Sequence, residues 1–285
     1  MKMRNFNRVE ISGRLYDHAL SYLETAKGEA IAGDVMIQTL SADGKETIIP
    51  IRYFGYPTFN NGKPNATHKI LESILDGTYG AVRNDESTAT WLSATGTIDI
   101  NYFAAQNAED GLARSQKVRG AFLNANPEKK HTNKWKIDFL IINTQEVEAD
   151  LEKELPRFVR INGYFADSYN ERLMGVQFQA RAEKAMDYIL GLSVSANEPY
   201  FVSTWGEIAS VKRLVVRANV FGDSETDEYS STQWLVTGMS PDAYQMDEEA
   251  SAKYEEYLAA LTEHMEAQKT KSAERKEKVD TDLPF

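Results

Sequence analysis

The chain has 285 residues, 42% hydrophobic and 11% aromatic, with a formal net charge of −11. That size and composition suit two globular domains and exclude general disorder. The absence of cysteine excludes disulfides and thiolate zinc sites, and the four histidines, His18, His68, His131 and His264, share no ligand spacing, so neither a metal nor any other cofactor is expected.

The first half reads as strands. "RVEISGRLYD" alternates around Val9, Ile11 and Leu15, and "AGDVMIQTL" and "ETIIPIRYFG" flank a turn with the hairpin pair Asp43-Gly44. In "ATHKILESILDG" the apolar residues Ile70, Leu71, Ile74 and Leu75 take helical spacing and stop at Gly77. Strand patterns return in "TWLSATGTIDINYF", "SQKVRGAFLNA" and "WKIDFLIINTQEV". Three strands, a helix and further strands is the order of an OB-fold, a small Greek-key barrel.

After "EVEADLEKE" the pattern restarts. "RFVRINGYFADS" echoes "RVEISGRLYDH", with Gly163 in the place of Gly13, and "VSTWGEI" answers "LSATGTI". "RLMGVQFQARA" predicts a strand, "EKAMDYILGL" a helix, and "YFVSTWGEIAS", "RLVVRANVFG" and "TQWLVTGM" three closing strands. The expected fold is therefore mainly β: a first OB-fold over 1–150 with an extended basic hairpin, and a second, shorter one over 151–245. A helix follows over 246–270, with Tyr254, Tyr257, Leu258, Leu261 and Met265 as its apolar stripe, expected to pack back on the second barrel. The final segment, 271–285, has no apolar face and reads as a flexible tail.

Charge is uneven along the chain. The last forty residues carry a net −5, whereas Leu112–Lys136 holds seven Lys/Arg against Glu128 alone. Phosphates respond to local potential within roughly 8 Å, so an acidic total does not exclude a basic groove.

At "FNRVEISGRL" and at the final "DTDLPF" the chain resembles the bacterial and phage single-stranded DNA-binding proteins, whose members open with an Asn-x-Val strand leading to Gly-Arg-Leu and close with an acidic tip ending in Pro-Phe. Asn7, Val9, Gly13, Arg14 and Leu15 match the first pattern, and Asp280, Asp282, Leu283, Pro284 and Phe285 the second. The resemblance covers about the first hundred residues and the last six. It implies sequence-tolerant binding and protection of single-stranded DNA in replication, recombination and repair, with the tip docking on replication proteins. The second barrel, the helix and the sparse acids of the tip depart from the usual bacterial chain and fit a phage or mobile-element version. Two barrels per chain remove the need for the family's tetramer, so a monomer or small homo-oligomer is expected. No signal-peptide core and no apolar run of about 18 residues occurs. A cytoplasmic location follows, that of the host if a phage encodes the chain, with no membrane partner.

Binding a single strand needs aromatic faces for bases and cations for phosphates. "NPEKKHTNKWKIDF" predicts a projecting loop on which Lys129, Lys130, Lys134 and Lys136 surround a stacking Trp135, with Arg114, Lys117 and Arg119 just upstream. In "IRYFGYPTF", Arg52, Phe54 and Tyr56 are the ligand-facing candidates. Arg160, Tyr164, Trp205, Lys212, Arg213 and Arg217 extend the expected groove onto the second barrel. An enzyme is not expected, because no phosphate loop, nucleophile elbow or metalloprotease motif occurs, and the acids of "GDSETDE" read as a solvated loop. The alternative to DNA binding is an OB-fold protein-interaction module, since fold alone does not fix function.

Overall fold

A computed structural model describes residues 4–105, 112–150, 156–217 and 225–281, except for the side chains of 104, 211–217, 225–231 and 271–281. The protein is mainly β, with its strands joined in one ten-stranded sheet that curls into barrels. β1 (Asn7–Thr25), β2 (Gly28–Leu40) and β3 (Glu46–Gly55) form an antiparallel meander. After α1 (Ala66–Leu75) come β4 (Trp91–Ala104) and β5 (Leu112–Ala125), which pair with each other. β4 returns to β1, and β5 runs parallel to β3 at Ile51–Val118, closing a five-stranded barrel with its helix between the third and fourth strands. This is the OB arrangement.

The second barrel repeats that wiring. β6 (Thr132–Val147), β7 (Phe158–Asp167) and β8 (Arg172–Ala180) pair antiparallel in turn, and α2 (Glu183–Leu190) precedes β9 (Tyr200–Arg217) and β10 (Glu225–Met239). β8 meets β10 in parallel at Gln179–Leu235, and β9 bridges β10 and β6.

β6 moves the boundary expected at residue 150. Read as a sixth strand of the first unit, it also pairs with β1, but its ladders to β7 and β9 give it the place in the second barrel that β1, paired with β2 and β4, holds in the first. "RFVRINGYFADS" is accordingly a second strand, and Gly163 is not the counterpart of Gly13. β5 and β6 are not sheet neighbours, so the expected basic hairpin is a link between barrels.

Local chemistry explains the helix beneath barrel 1. The Asn65 side chain caps α1 by accepting from the Thr67 and His68 amides at 3.1 and 3.4 Å, and Leu71 and Ile74 then enter the core. Gly77, at φ +80°, follows the helix end.

The barrels share one sheet. β1 pairs antiparallel with β6 over Asn7–Ser12, placing Val9 opposite Trp135. The first barrel also sends its fourth and fifth strands across to the second, and the second sends its fourth across to the first. Tyr102 on β4 accepts from the Gly175 amide at 2.8 Å and Gln116 on β5 accepts from the Gln177 amide at 3.0 Å, both on β8. Reciprocally, Ser210 on β9 donates from its amide to Thr47 Oγ1 at 2.7 Å and from its hydroxyl to the Ile48 carbonyl at 2.8 Å, both on β3.

α3 (Glu248–Thr281) packs on β8 and reaches β4 and β5. Tyr254, Tyr257 and Leu261 are buried there, with Leu258 and Met265 partly so. Its backbone stays helical beyond residue 270, where a tether was expected; Ala, Glu, Lys and Arg, which dominate 271–281, are good helix formers. Among the described residues no helix is long and apolar enough to cross a membrane.

Candidate nucleic-acid interface

Strand alternation on β3 buries Ile49, Ile51 and Tyr53 and turns Arg52 and Phe54 outward. Phe54 is 55% exposed and meets Tyr56 edge-on, with ring centroids 5.3 Å apart. Tyr56 is fixed from two sides. Its hydroxyl bonds Thr25 Oγ1 at 3.0 Å in the β1–β2 turn, and its carbonyl accepts from Asn65 Nδ2 at 3.0 Å. The two rings are therefore presented on a rigid strand end, not on a mobile tip.

Cations line the same face. Arg52 lies 3.4 Å from Asp34 on β2 and pairs in register with Arg119 on β5, so two guanidinium groups stand on adjacent strands. Lys117 and Arg119 are exposed, with Lys117 opposite Asp99. Phe122, 59% exposed, is an aromatic that sequence alternation misses. From Val118 the period of two predicts an inward ring, but Phe122 pairs with Thr95 and Gly120 with Gly96, so Ala121 is an extra residue that reverses the phase. Tyr53 donates to the Phe122 carbonyl at 3.2 Å across this bulge, and burial pushes its hydroxyl pKa up, keeping the proton in place.

Trp135 is a correction. It was expected on a projecting loop, but it points inward from β6 and is 1% exposed. Its indole stacks on Phe178 at 4.4 Å and donates to the Glu207 carbonyl at 2.9 Å, so no base can reach its face. The lysines around it diverge. Lys129 and Lys130 lie exposed in the turn between barrels, Lys129 at φ 51°. Lys134 and Lys136 alternate with Trp135 and face out.

Those two lysines lie on a second surface, the outer side of the shared sheet. Lys134 bonds Glu10 at 2.6 Å, and that ammonium holds the Glu10 carboxyl below the usual carboxylate range. Lys136 Nζ sits 5.7 Å from the Trp205 ring and 5.8 Å from the Phe6 ring, both partly exposed. With Arg8 and Glu207 they border an open cleft of about 490 Å³. Phe6 and Arg8 were not singled out from sequence.

The remaining candidates scatter. Arg114 sits beside Tyr102 and Tyr164 at the contact between barrels. Arg160 donates to Gln145 at 3.0 Å, and Tyr164 is half-buried opposite Gly175. Lys212, Arg213 and Arg217 lie on β9, but their side chains are outside the described residues. So are the Asp280 side chain and all of Asp282, Leu283, Pro284 and Phe285.

No protein-family model matches the chain, and no curated protein matches it in sequence. Among solved structures, the wild-type single-stranded DNA binding protein from Thermus aquaticus is similar, at TM-score 0.51 and 11% identity, covering 86% of this chain and 97% of that one. A deletion variant of the same protein aligns at TM-score 0.52 and 12% identity, over 86% and 98% of the two chains. A replication protein A heterotrimer bound to single-stranded DNA aligns at TM-score 0.22 and 11% identity, over 88% and 52%. At such identities the likeness to the Thermus protein is one of fold, and it extends over nearly the whole of that chain.

Proposed function

We propose that the chain binds single-stranded DNA without reading its sequence. The observation that carries this reading is the strip on β3 and β5, where exposed Phe54, the braced Tyr56, Arg52 and Arg119 combine stacking faces with cations on the strand face through which OB-folds hold oligonucleotides. The fold shared with a single-stranded DNA binding protein supports the same reading. Titrating labelled oligo-dT and a duplex of equal length tests it. Preference for the single strand, weakening with salt, is expected; equal affinity for both, or no binding at low salt, overturns it.

The biological setting we propose is protection of exposed strands during replication, recombination or repair, encoded by a phage or mobile element and carried out in the host cytoplasm. The Asp280–Phe285 tip serves as the docking element for replication proteins. Phe285 suits an apolar pocket, its carboxylate an Arg at the rim, and Asp280 and Asp282 basic neighbours. Deleting Asp280–Phe285 is expected to leave oligo-dT affinity unchanged or slightly tighter and to abolish capture of replication proteins in a pull-down. Undiminished capture by the shortened chain would remove the tip from this role.

A further inference from the structure

The strip on β3 and β5 does not end at Arg119. That residue also borders a second open cleft of about 490 Å³, set between the outer face of β4 and β5 and the turn that joins β7 to β8. A cleft of that size takes a small organic group such as a base. Ile98 and Ile100 on β4 are buried, so Asp99 between them turns outward, and Arg119 on β5 does so opposite Thr97. Asp99 and Arg119 are thus diagonal neighbours across the ladder, roughly 7–8 Å apart by sheet geometry. Both are exposed and both line the cleft.

Neither side chain is engaged elsewhere. Among the described residues Asp99 and Arg119 make no ion pair and no side-chain hydrogen bond. The rim of the cleft is aromatic. Tyr169, 90% exposed, stands there on the β7–β8 turn. The turn is braced, since Asp167 Oδ1 accepts from the Tyr169 and Asn170 amides at 3.0 and 3.3 Å and Asn5 Nδ2 donates to Ser168 Oγ.

A carboxylate in the path of a nucleic acid repels phosphates, so the favourable contact for Asp99 is the edge of a base. Bases of a single strand offer those edges freely. Guanine alone of the four carries two adjacent donors, N1–H and N2–H, beside an acceptor, O6, on one edge. A carboxylate accepts from both donors, and a guanidinium donates to the oxygen.

We propose that this cleft takes one unstacked guanine of a bound single strand, with Asp99 accepting from N1 and N2, Arg119 donating to O6 and Tyr169 stacking on the ring. This rests on the reading of the chain as a single-stranded DNA binder. It adds a preference of composition: the strip holds any base, whereas the cleft favours one.

Competition between strands of equal length, one alternating dG-dT and one alternating dI-dT, tests this, because inosine lacks only the N2 amine and keeps N1–H, O6 and the ring. The unaltered chain is expected to bind the dG-dT strand roughly fivefold tighter or more, the lower end of what one bidentate base contact discriminates. Asp99→Asn is expected to abolish that difference, with oligo-dT affinity held or slightly tightened. Tyr169→Ala is expected to weaken both alternating strands alike, by roughly fivefold or more, as the loss of one stacked base does. Equal affinity for the two strands in the unaltered chain, a difference that survives Asp99→Asn, or indifference to Tyr169→Ala overturns the proposal while leaving single-strand binding intact. Failure of the unaltered chain to bind any of these strands, oligo-dT included, overturns the functional reading, and this inference with it.

Discussion

Asn7 and Asn133 make the same pair of hydrogen bonds in different barrels. Asn7 Nδ2 donates to the Ile98 carbonyl at 2.9 Å while its Oδ1 accepts from the Ile98 amide at 2.9 Å; Asn133 does the same with Ile208 at 2.8 and 3.0 Å. Two positions further on, Val9 pairs with Gly96 and Trp135 with Gly206. The Asn-x-Val of the first strand thus recurs as Asn133-Lys134-Trp135, and the asparagine holds the fourth strand in each barrel.

Replacing Asn133 with Ala leaves a backbone donor and acceptor of Ile208 without partners. A loss of about 1–3 kcal/mol is expected from urea unfolding, with Asn7→Ala similar, since leaving a buried polar group unpaired carries that cost. A change under a few tenths would mean that water replaces the side chain at no expense.

Trp135→Ala removes a ring stacked on Phe178 and edge-on to Trp234, 6.3 Å away. The expected effect is on stability, about 3–5 kcal/mol, as for other large aromatic truncations in cores. Oligo-dT affinity of the fraction that remains folded should be unchanged. A selective loss of binding with normal unfolding would return the ring to the interface.

Phe54→Ala should behave in the opposite way. The ring is more than half exposed, so the melting temperature should hardly move, while binding of oligo-dT weakens by about 1–3 kcal/mol, the worth of one stacked base. Phe122→Ala, altered on the same grounds, separates a continuous strip from a single stacking point.

Arg52→Ala and Arg119→Ala should each reduce the salt dependence of binding by about 0.7 in the log-log slope if each contacts one phosphate. Lys134→Ala should have less effect, because Glu10 already holds that ammonium. A full-sized slope change at Lys134 would shift the strand's path toward the shared sheet.

Much of the fold is legible in sequence because it is local. Alternation marks every strand of barrel 1, the 3.6 period marks α1, and the similarity of "LSATGTI" and "VSTWGEI" marks the two fourth strands. What sequence does not disclose is partnership. β6 looks like a continuation of its predecessors, and only its ladders to β7 and β9, the latter some 70 residues downstream at Trp135–Gly206, assign it to the second barrel. The same limit governs the site. Arg52 and Phe54 are read correctly as outward-facing from the period of β3, whereas a tryptophan between lysines gives no local sign of which way it points until the strand is identified. Phe122 is hidden by one bulged residue.

The crossing of β4 and β5 in one direction and β9 in the other bears on how the chain reaches this state. Tyr102 and Gln116 satisfy β8, and Ser210 satisfies β3, so each barrel has backbone groups whose partners reside in the other. Neither half can complete its hydrogen bonding alone, and pairings such as Ile48 with Ser210 link residues more than 160 positions apart. Loops of that length close slowly and are rewarded late. The chain should therefore unfold in one cooperative transition, and refold with a slow final phase in which two nearly formed barrels exchange their arms.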